Sequence, residues 1–165
     1  MHRPYAHCPH CGHGLPPGRA WPKRCAGCGR TCYLSPAPVG VVLQPVDGGI
    51  LLVQRGIPPQ LGGWALPGGF IDAHEGWREG CARELWEETG VAVPPEVLQL
   101  VCVESAPEDN MILLLARAPM LRAQDLPPFQ PNLECTAIRV AAQAERLAFP
   151  LHTQALARFF SAAAG

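Results

Sequence analysis

GFIDAHEGWREGCARELWEETGV, residues 69–91, sets Gly69, Glu75, Arg83, Glu84, Glu87, Glu88 and Gly90 at fixed offsets, with apolar Leu85 and Val91 where a passage from helix to strand would bury them. Read as a helix from Glu75 onward, the segment relates Glu84, Glu87 and Glu88 by i, i+3 and i, i+4 spacing, so three carboxylates leave one face. Like charges at that spacing repel, and the helix is destabilised unless a cation joins them. Hard divalent cations take carboxylate oxygens and keep sites for substrate phosphates, which supplies the cation and a chemistry together. A solvated acidic face would account for the charge but not for the full spacing.

Upstream, Pro67-Gly68-Gly69 breaks regular structure and lets backbone approach a ligand. Residues 64–66 are short and apolar, and 57–63 (IPPQLGG) cannot be regular. Further back, VGVVLQPV (39–46) and ILLVQR (50–55) flank Asp47-Gly48-Gly49 and read as strand, tight turn and strand. Downstream, strands are expected over 97–103, apolar enough to be a central one, over 111–118 and over 135–140, with a turn at 106–110. The proline-studded 119–132 is long enough for a functional loop. Residues 151–164 close the chain as an amphipathic helix with Leu151, Ala155, Leu156, Phe159 and Phe160 inward.

Two copies of C-x-x-C-G stand near the start, Cys8-Pro-His-Cys11-Gly12 and Cys25-Ala-Gly-Cys28-Gly29, with 13 residues between Cys11 and Cys25. Two such knuckles present four thiolates tetrahedrally, the glycine after each second cysteine permitting the tight turn, and the spacing reads as a zinc ribbon. Cys32 and the histidines at 2, 7, 10 and 13 are bystanders, since four cysteines close a structural site. So small a ribbon buries too little to fold alone, and metal binding would supply its folding energy. The expected division is a zinc ribbon over 1–34 and a principal domain over 35–165, joined by the stiff Ser35-Pro36-Ala37-Pro38.

With 165 residues and 48% hydrophobic content, the chain can bury one proper core beside a small appendage. A net charge of -1 and a pI near 6.6 give no global attraction to nucleic acid or anionic membrane, so phosphate recognition must be local. No apolar run reaches membrane-spanning length and MHRPYAHCPH lacks a signal-peptide core, which points to a cytoplasmic protein. Of eight cysteines, five lie between Cys8 and Cys32 while Cys81, Cys102 and Cys135 are scattered through apolar stretches, a pattern for one metal site plus reduced core thiols.

Residues 69–91 match every fixed position of G-x5-E-x7-R-E-U-x-E-E-x-G-U, where U is a bulky aliphatic: Gly69, Glu75, Arg83, Glu84, Leu85, Glu87, Glu88, Gly90 and Val91. At ordinary residue frequencies seven fixed identities arise by chance about once in 10⁸ starting positions. The chain therefore resembles the Nudix hydrolases, and its ribbon makes it similar to their zinc-ribbon branch, which includes NADH, FAD and ADP-ribose pyrophosphatases. That resemblance implies an α/β class, an α/β/α sandwich with a mixed sheet, and Mg²⁺- or Mn²⁺-dependent hydrolysis of a nucleoside diphosphate linked to another moiety. It places metal on Glu87, Glu88, Glu84 and the Gly69 carbonyl, with Glu84 a further ligand or the base. It sets Arg83 to orient the carboxylates through an ion pair with Glu75, and Glu134 where some members carry the base.

Beside the box, Arg55 is either a phosphate contact or an exposed strand end, and Trp64 and Phe70 either stack on a base or pack in the core. Trp77 and Trp86 are expected to pack or form an interface. Gly80 either is tolerated or opens space above the metal face. The Ser-Gln-Pro-Trp motif of NADH pyrophosphatases is absent, its place taken by Glu104-Ser-Ala-Pro-Glu-Asp109. An ADP-ribose or FAD type substrate is therefore favoured over NADH, diadenosine polyphosphates and oxidised nucleoside triphosphates. A nucleotide-sensing or RNA-binding regulator is the alternative of another class. The basic set Arg3, Arg19, Lys23, Arg24 and Arg30 is modest, so the ribbon is expected to serve structure or a homodimer rather than nucleic acid.

Overall fold

The two cysteine knuckles should fold alike if the repeat in the sequence is structural, and they do. The structure, a computed structural model, describes residues 5–18, 20–106, 108 and 110–163. His2, Arg3, Arg19, Asp109 and Ala164, which carry part of the sequence reading, lie outside the described residues. The chain divides into two compact units, Met1–Pro36 and Ala37–Gly165. In the first, the Cys8 N–H donates to the His13 carbonyl (2.8 Å) and the Gly12 N–H to the Cys8 carbonyl (2.9 Å). The Cys25 N–H reaches the Arg30 carbonyl and the Gly29 N–H the Cys25 carbonyl, both at 2.9 Å. Gly12 and Gly29 take φ of 75° and 72°, left-handed backbone that glycine adopts without a Cβ penalty. Strands β1 (Lys23–Arg24) and β2 (Thr31–Cys32) pair antiparallel around the second knuckle. The buried centre of this unit is thiol: Cys8, Cys25 and Cys32, with Leu15 and Trp21 against them.

The second unit runs β3 (Ala37–Leu43), β4 (Pro45–Val46), β5 (Gly49–Arg55), β6 (Trp64–Ala65), β7 (Gly68–Phe70), α1 (Trp77–Thr89), β8 (Gln99–Ala106), β9 (Met111–Arg117), β10 (Cys135–Ala141) and α2 (Pro150–Ala163). Its strands form two sheets, β7-β3-β9-β8 and β10-β5-β4, with β6 on β5. The first is mixed, because β3 runs parallel to β9 and antiparallel to β7. Successive side chains on a strand face opposite ways, and along β5 and the second half of β3 both ways are covered. Val41, Leu43, Ile50, Leu52 and Leu115 pack with Ala155, Leu156, Phe159 and Phe160 of α2. Val42, Leu51 and Ala116 pack with Cys81 and Leu85 of α1. Such two-sided burial is why these strands read as unbroken apolar runs.

The hairpin expected over 39–55 survives only at its tip. Asp47 and Gly48 turn with φ of 45° and 85°, and β4 pairs Pro45 with Ile50 and Val46 with Gly49. The rest of the run, β3, leaves for the other sheet. Gln44 is the reason. Its buried side-chain amide donates to the Pro45 and Pro119 carbonyls, both at 2.9 Å, and fixes the crossing between sheets. The strand expected from 97 starts instead at Gln99, after a 3-10 turn over Pro95–Val97, and it is not central: β8 ends its sheet, paired with β9 alone, and leaves Leu100, Val101 and Val103 about half exposed. The helix expected from Glu75 starts two residues later, at Trp77, and ends at Gly90 in the left-handed region. No helix among the described residues is long and apolar enough to cross a membrane.

The inner face of α2 carries one polar residue the periodicity should have flagged, His152, four positions before Leu156. It is buried, and its Nδ1 accepts the Leu66 N–H at 3.2 Å. Burial first, and the Arg55 charge second, push the imidazole from 6.5 down to about 4. The unfolded chain therefore binds a proton that the native state refuses, so stability is full above pH 6.5 and falls as pH drops toward 4. This group's share is about 3 kcal/mol. Because burial of Glu88 acts in the opposite direction over the same range, the test is the difference between proteins: in urea titrations, His152→Gln, which keeps an acceptor but does not titrate, should gain stability relative to the wild type by about that amount between pH 7 and pH 4.5.

Candidate functional site

Glu75, placed before α1 rather than in it, is held by a guanidinium eight residues on. The Arg83 Nε and Nη2 donate to the two Glu75 oxygens at 2.9 Å each, and Nη1 reaches Glu84 at 2.8 Å and Glu87 at 3.0 Å. Nη2 also donates to the Phe70 carbonyl at 2.9 Å, so one planar fork ties helix, preceding turn and β7 together. The Arg83 bonds outweigh burial and hold the Glu75 carboxyl below its usual range. The Arg83–Glu75 pair expected from sequence is thus present, and it is one limb of a larger network.

Glu84 and Glu88 point inward, 8% and 6% exposed. Burial pushes Glu88 up to about 7, against the Gly68 N–H at 2.8 Å and the Cys135 thiol, while Glu84 and Glu134 add repulsion. Burial also raises Glu84, opposed by Arg83 and assisted by Glu87 and Glu134. Glu84 lies directly on Gly69, where a Cβ would stand 2.6 Å from its carboxylate. Glycine is required there for close approach. Gly80 has a different purpose from the one weighed above: a Cβ on it would meet the Glu75 carboxylate at 3.0 Å and Ile71 at 3.1 Å, so it seats Glu75.

Glu134 arrives from the loop before β10, and its charge raises both Glu84 and Glu88. The bulge between Cys135 and Ala137, where β10 pairs with β5, lies beside the site and places Arg55 opposite Cys135. Arg55 braces the neighbouring loop: its Nε donates to the Pro59 carbonyl at 2.7 Å and its guanidinium lies over Phe149 at 5.1 Å. Trp64 packs into the core as one of the two readings held, beneath the Arg139 guanidinium at 4.5 Å. Phe70 does not. It is 54% exposed, because edge strand β7 turns Phe70 to solvent. Trp77 packs against the α1 core and Trp86 is exposed.

Among the described residues, Arg83 is the one cation bonded to the group Glu75, Glu84, Glu87, Glu88 and Glu134, which leaves a surplus of negative charge in partly desolvated surroundings and suits a divalent cation. In the first unit, the Sγ atoms of Cys8, Cys11, Cys25 and Cys28 lie within 4.8 Å of one another. The Cys8–Cys28 and Cys11–Cys25 separations are 3.8 and 3.6 Å, against about 3.8 Å for the edge of a tetrahedral zinc–thiolate site. Cys32 stays outside that set and donates its thiol to Cys8 at 3.6 Å. The four thiols fit a structural zinc ion, whereas the carboxylates supply the charge for a divalent cation but, among the described residues, are not drawn together into a ligand set as the thiols are.

A model of the NUDIX domain family matches residues 34–147, which include both sheets and α1. The chain belongs to the NUDIX family. Among NUDIX relatives, the ADP-ribose pyrophosphatase of Methanocaldococcus jannaschii is 41% identical over 76 residues, 46% of this chain and 44% of that one. The RNA pyrophosphohydrolase of Cereibacter sphaeroides is 39% identical over 90 residues, 54% and 45%. The chain thus spans less than half the length of these curated relatives. The NUDIX hydrolase structure from Nitrosomonas europaea superposes with a TM-score of 0.70 at 26% identity, over 94% of this chain and 90% of that one. The α/β class and NUDIX architecture expected from the sequence are those found.

Proposed function

We propose that the chain is a divalent-cation-dependent NUDIX pyrophosphohydrolase that cleaves the diphosphate of an ADP-ribose or FAD type substrate. One observation carries this: Glu84 and Glu88 are buried against the Gly68-Gly69 turn, burial raises both, and Glu87 adds its charge to that on Glu84, an arrangement that costs stability unless a cation completes it. Glu84, Glu87, Glu88 and the Gly69 carbonyl would hold Mg²⁺ or Mn²⁺. Bound there, the cation neutralises diphosphate charge and lowers the pKa of water. Arg83 positions three of the carboxylates.

The water oxygen bonds to one phosphorus, the bridging P–O bond breaks with its electron pair going to the other phosphate, and a carboxylate takes the water proton. Glu134 suits that last role better than Glu84. Among the described residues no cation or N–H holds its carboxylate, whereas Arg83 pins Glu84. Arg55 stands close enough to Cys135 to meet a phosphate entering over Glu134, and the exposed Phe70 ring offers a stacking face. Four cysteines would hold a structural Zn²⁺ in the 1–34 ribbon, leaving 35–165 as the hydrolase domain.

The name of the 41%-identical relative supports ADP-ribose, and that of the other, an RNA pyrophosphohydrolase, supports RNA as the second candidate. A panel of ADP-ribose, FAD, NADH, diadenosine tetraphosphate, 8-oxo-dGTP and 5′-triphosphate RNA, with Mg²⁺ and with Mn²⁺, tests the reading. ADP-ribose or FAD should give the highest kcat/KM, at least about tenfold above NADH. Silence across the panel with tight binding of one ligand would turn the choice to a sensor.

A further inference from the structure

Helix α1 ends with carbonyls that have no partner inside the helix, and two of them belong to the segment bearing the acidic cluster. The Trp86 carbonyl takes the Gly90 N–H at 2.7 Å. The Glu87 carbonyl takes the side chain of Asn132, forty-five residues away, whose Nδ2 donates at 3.0 Å. The other end of the same amide faces its own loop. Asn132 Oδ1 accepts the N–H of Glu134 at 2.9 Å and of Cys135 at 2.8 Å, and the Asn132 N–H returns to the Cys135 carbonyl at 2.9 Å. An aspartate could close that turn but offers no donor when ionised, and a serine closes it more weakly and reaches less far. Asparagine is the short side chain that does both.

We propose that Asn132 is a positioning residue that fastens the loop bearing Glu134 to the end of α1 bearing Glu87 and Glu88, and so holds the Glu134 carboxylate at the acidic cluster. Each neighbour of the loop supports the same anchoring. The Gly56 N–H holds the Glu134 carbonyl at 2.6 Å from the β5 side, and the Cys135 thiol, next in sequence, bonds Glu88. With the backbone pinned on both sides of Glu134, its side chain has one short tether from which to reach the reacting water. The inference rests on Glu134 being the proton acceptor.

The test compares Asn132→Ala, Asn132→Ser, Glu134→Gln and the Asn132→Ala/Glu134→Gln double variant with Glu87→Gln, on the best substrate of the panel above. Asn132→Ala should lower kcat about 30-fold with KM changed less than about threefold, because the loss falls on proton transfer rather than on binding. Asn132→Ser, which can close the turn, should recover part of that. In the Glu134→Gln background Asn132→Ala should cost less than about twofold, since residues acting through one another are not additive. Equal factors in both backgrounds, or a raised KM at unchanged kcat, would make Asn132 a mere helix cap and overturn the proposal while leaving the carboxylate site standing, provided Glu87→Gln is inactive. Full turnover by Glu87→Gln, or a wild type silent on the panel, would instead sink the underlying reading and this proposal with it.

Discussion

Glu88→Gln is expected to fold and to lose Mg²⁺-dependent hydrolysis by about 10³-fold in kcat/KM. The amide oxygen can still accept the Gly68 N–H that Glu88 accepts at 2.8 Å, so the β7 turn keeps its partner. What disappears is a charge in a place where charge is costly, 6% exposed and raised by burial. The metal-free variant should therefore unfold at a temperature no lower than that of the wild type. Magnesium should stabilise the wild type, by linkage between binding and folding, and leave the variant where it was. Glu87→Gln should lose activity too, but for a different structural cost: Glu87 is about half exposed and meets Arg83 at 3.0 Å, a pair worth at most about 1 kcal/mol. Full turnover by either variant would sink the metal assignment. A variant that is inactive and also unfolded would show that Glu88 holds the fold, and the Mg²⁺-dependent thermal shift separates the two.

The acidic segment was legible because its spacing is itself the chemistry: carboxylates that must meet one cation have to recur on one helix face. The ribbon was legible for the same reason. The partition of the strands was not. Residues 39–46 form one apolar run, and nothing in local propensity says that the chain changes sheets at Gln44; that is settled by hydrogen bonds to Pro45 and to Pro119, far along the sequence. Phe70 follows from the same limit, since an aromatic beside buried residues reads as core until β7 is known to be an edge. His152 did leave a signal, a polar residue on the apolar stripe of α2. Asn132 left none. It sits in a proline-rich loop where asparagine is unremarkable, and its partner, the Glu87 carbonyl, is main chain and invisible to side-chain patterns.

Stripping the metal from the first unit should unfold residues 5–36 and spare the second. Among the unit's described residues, the buried cluster is Cys8, Cys25 and Cys32, with Leu15 and Trp21 packed on it. Burying so little apolar surface cannot offset the backbone entropy of some thirty ordered residues at about 1 to 2 kcal/mol each. A bound structural zinc ion would contribute folding free energy that these few apolar contacts lack. The purified protein should accordingly carry about one zinc per chain by elemental analysis. A strong chelator, or Cys25→Ser, should abolish amide protection over 5–36. The second unit should keep its protection, because it has cores of its own built on Val41, Leu52, Leu85, Leu156 and their neighbours. A folded ribbon without metal would refute the zinc assignment. Loss of protection in both units together would mean that the second unit needs the first to stay folded, which its own cores give no reason to expect.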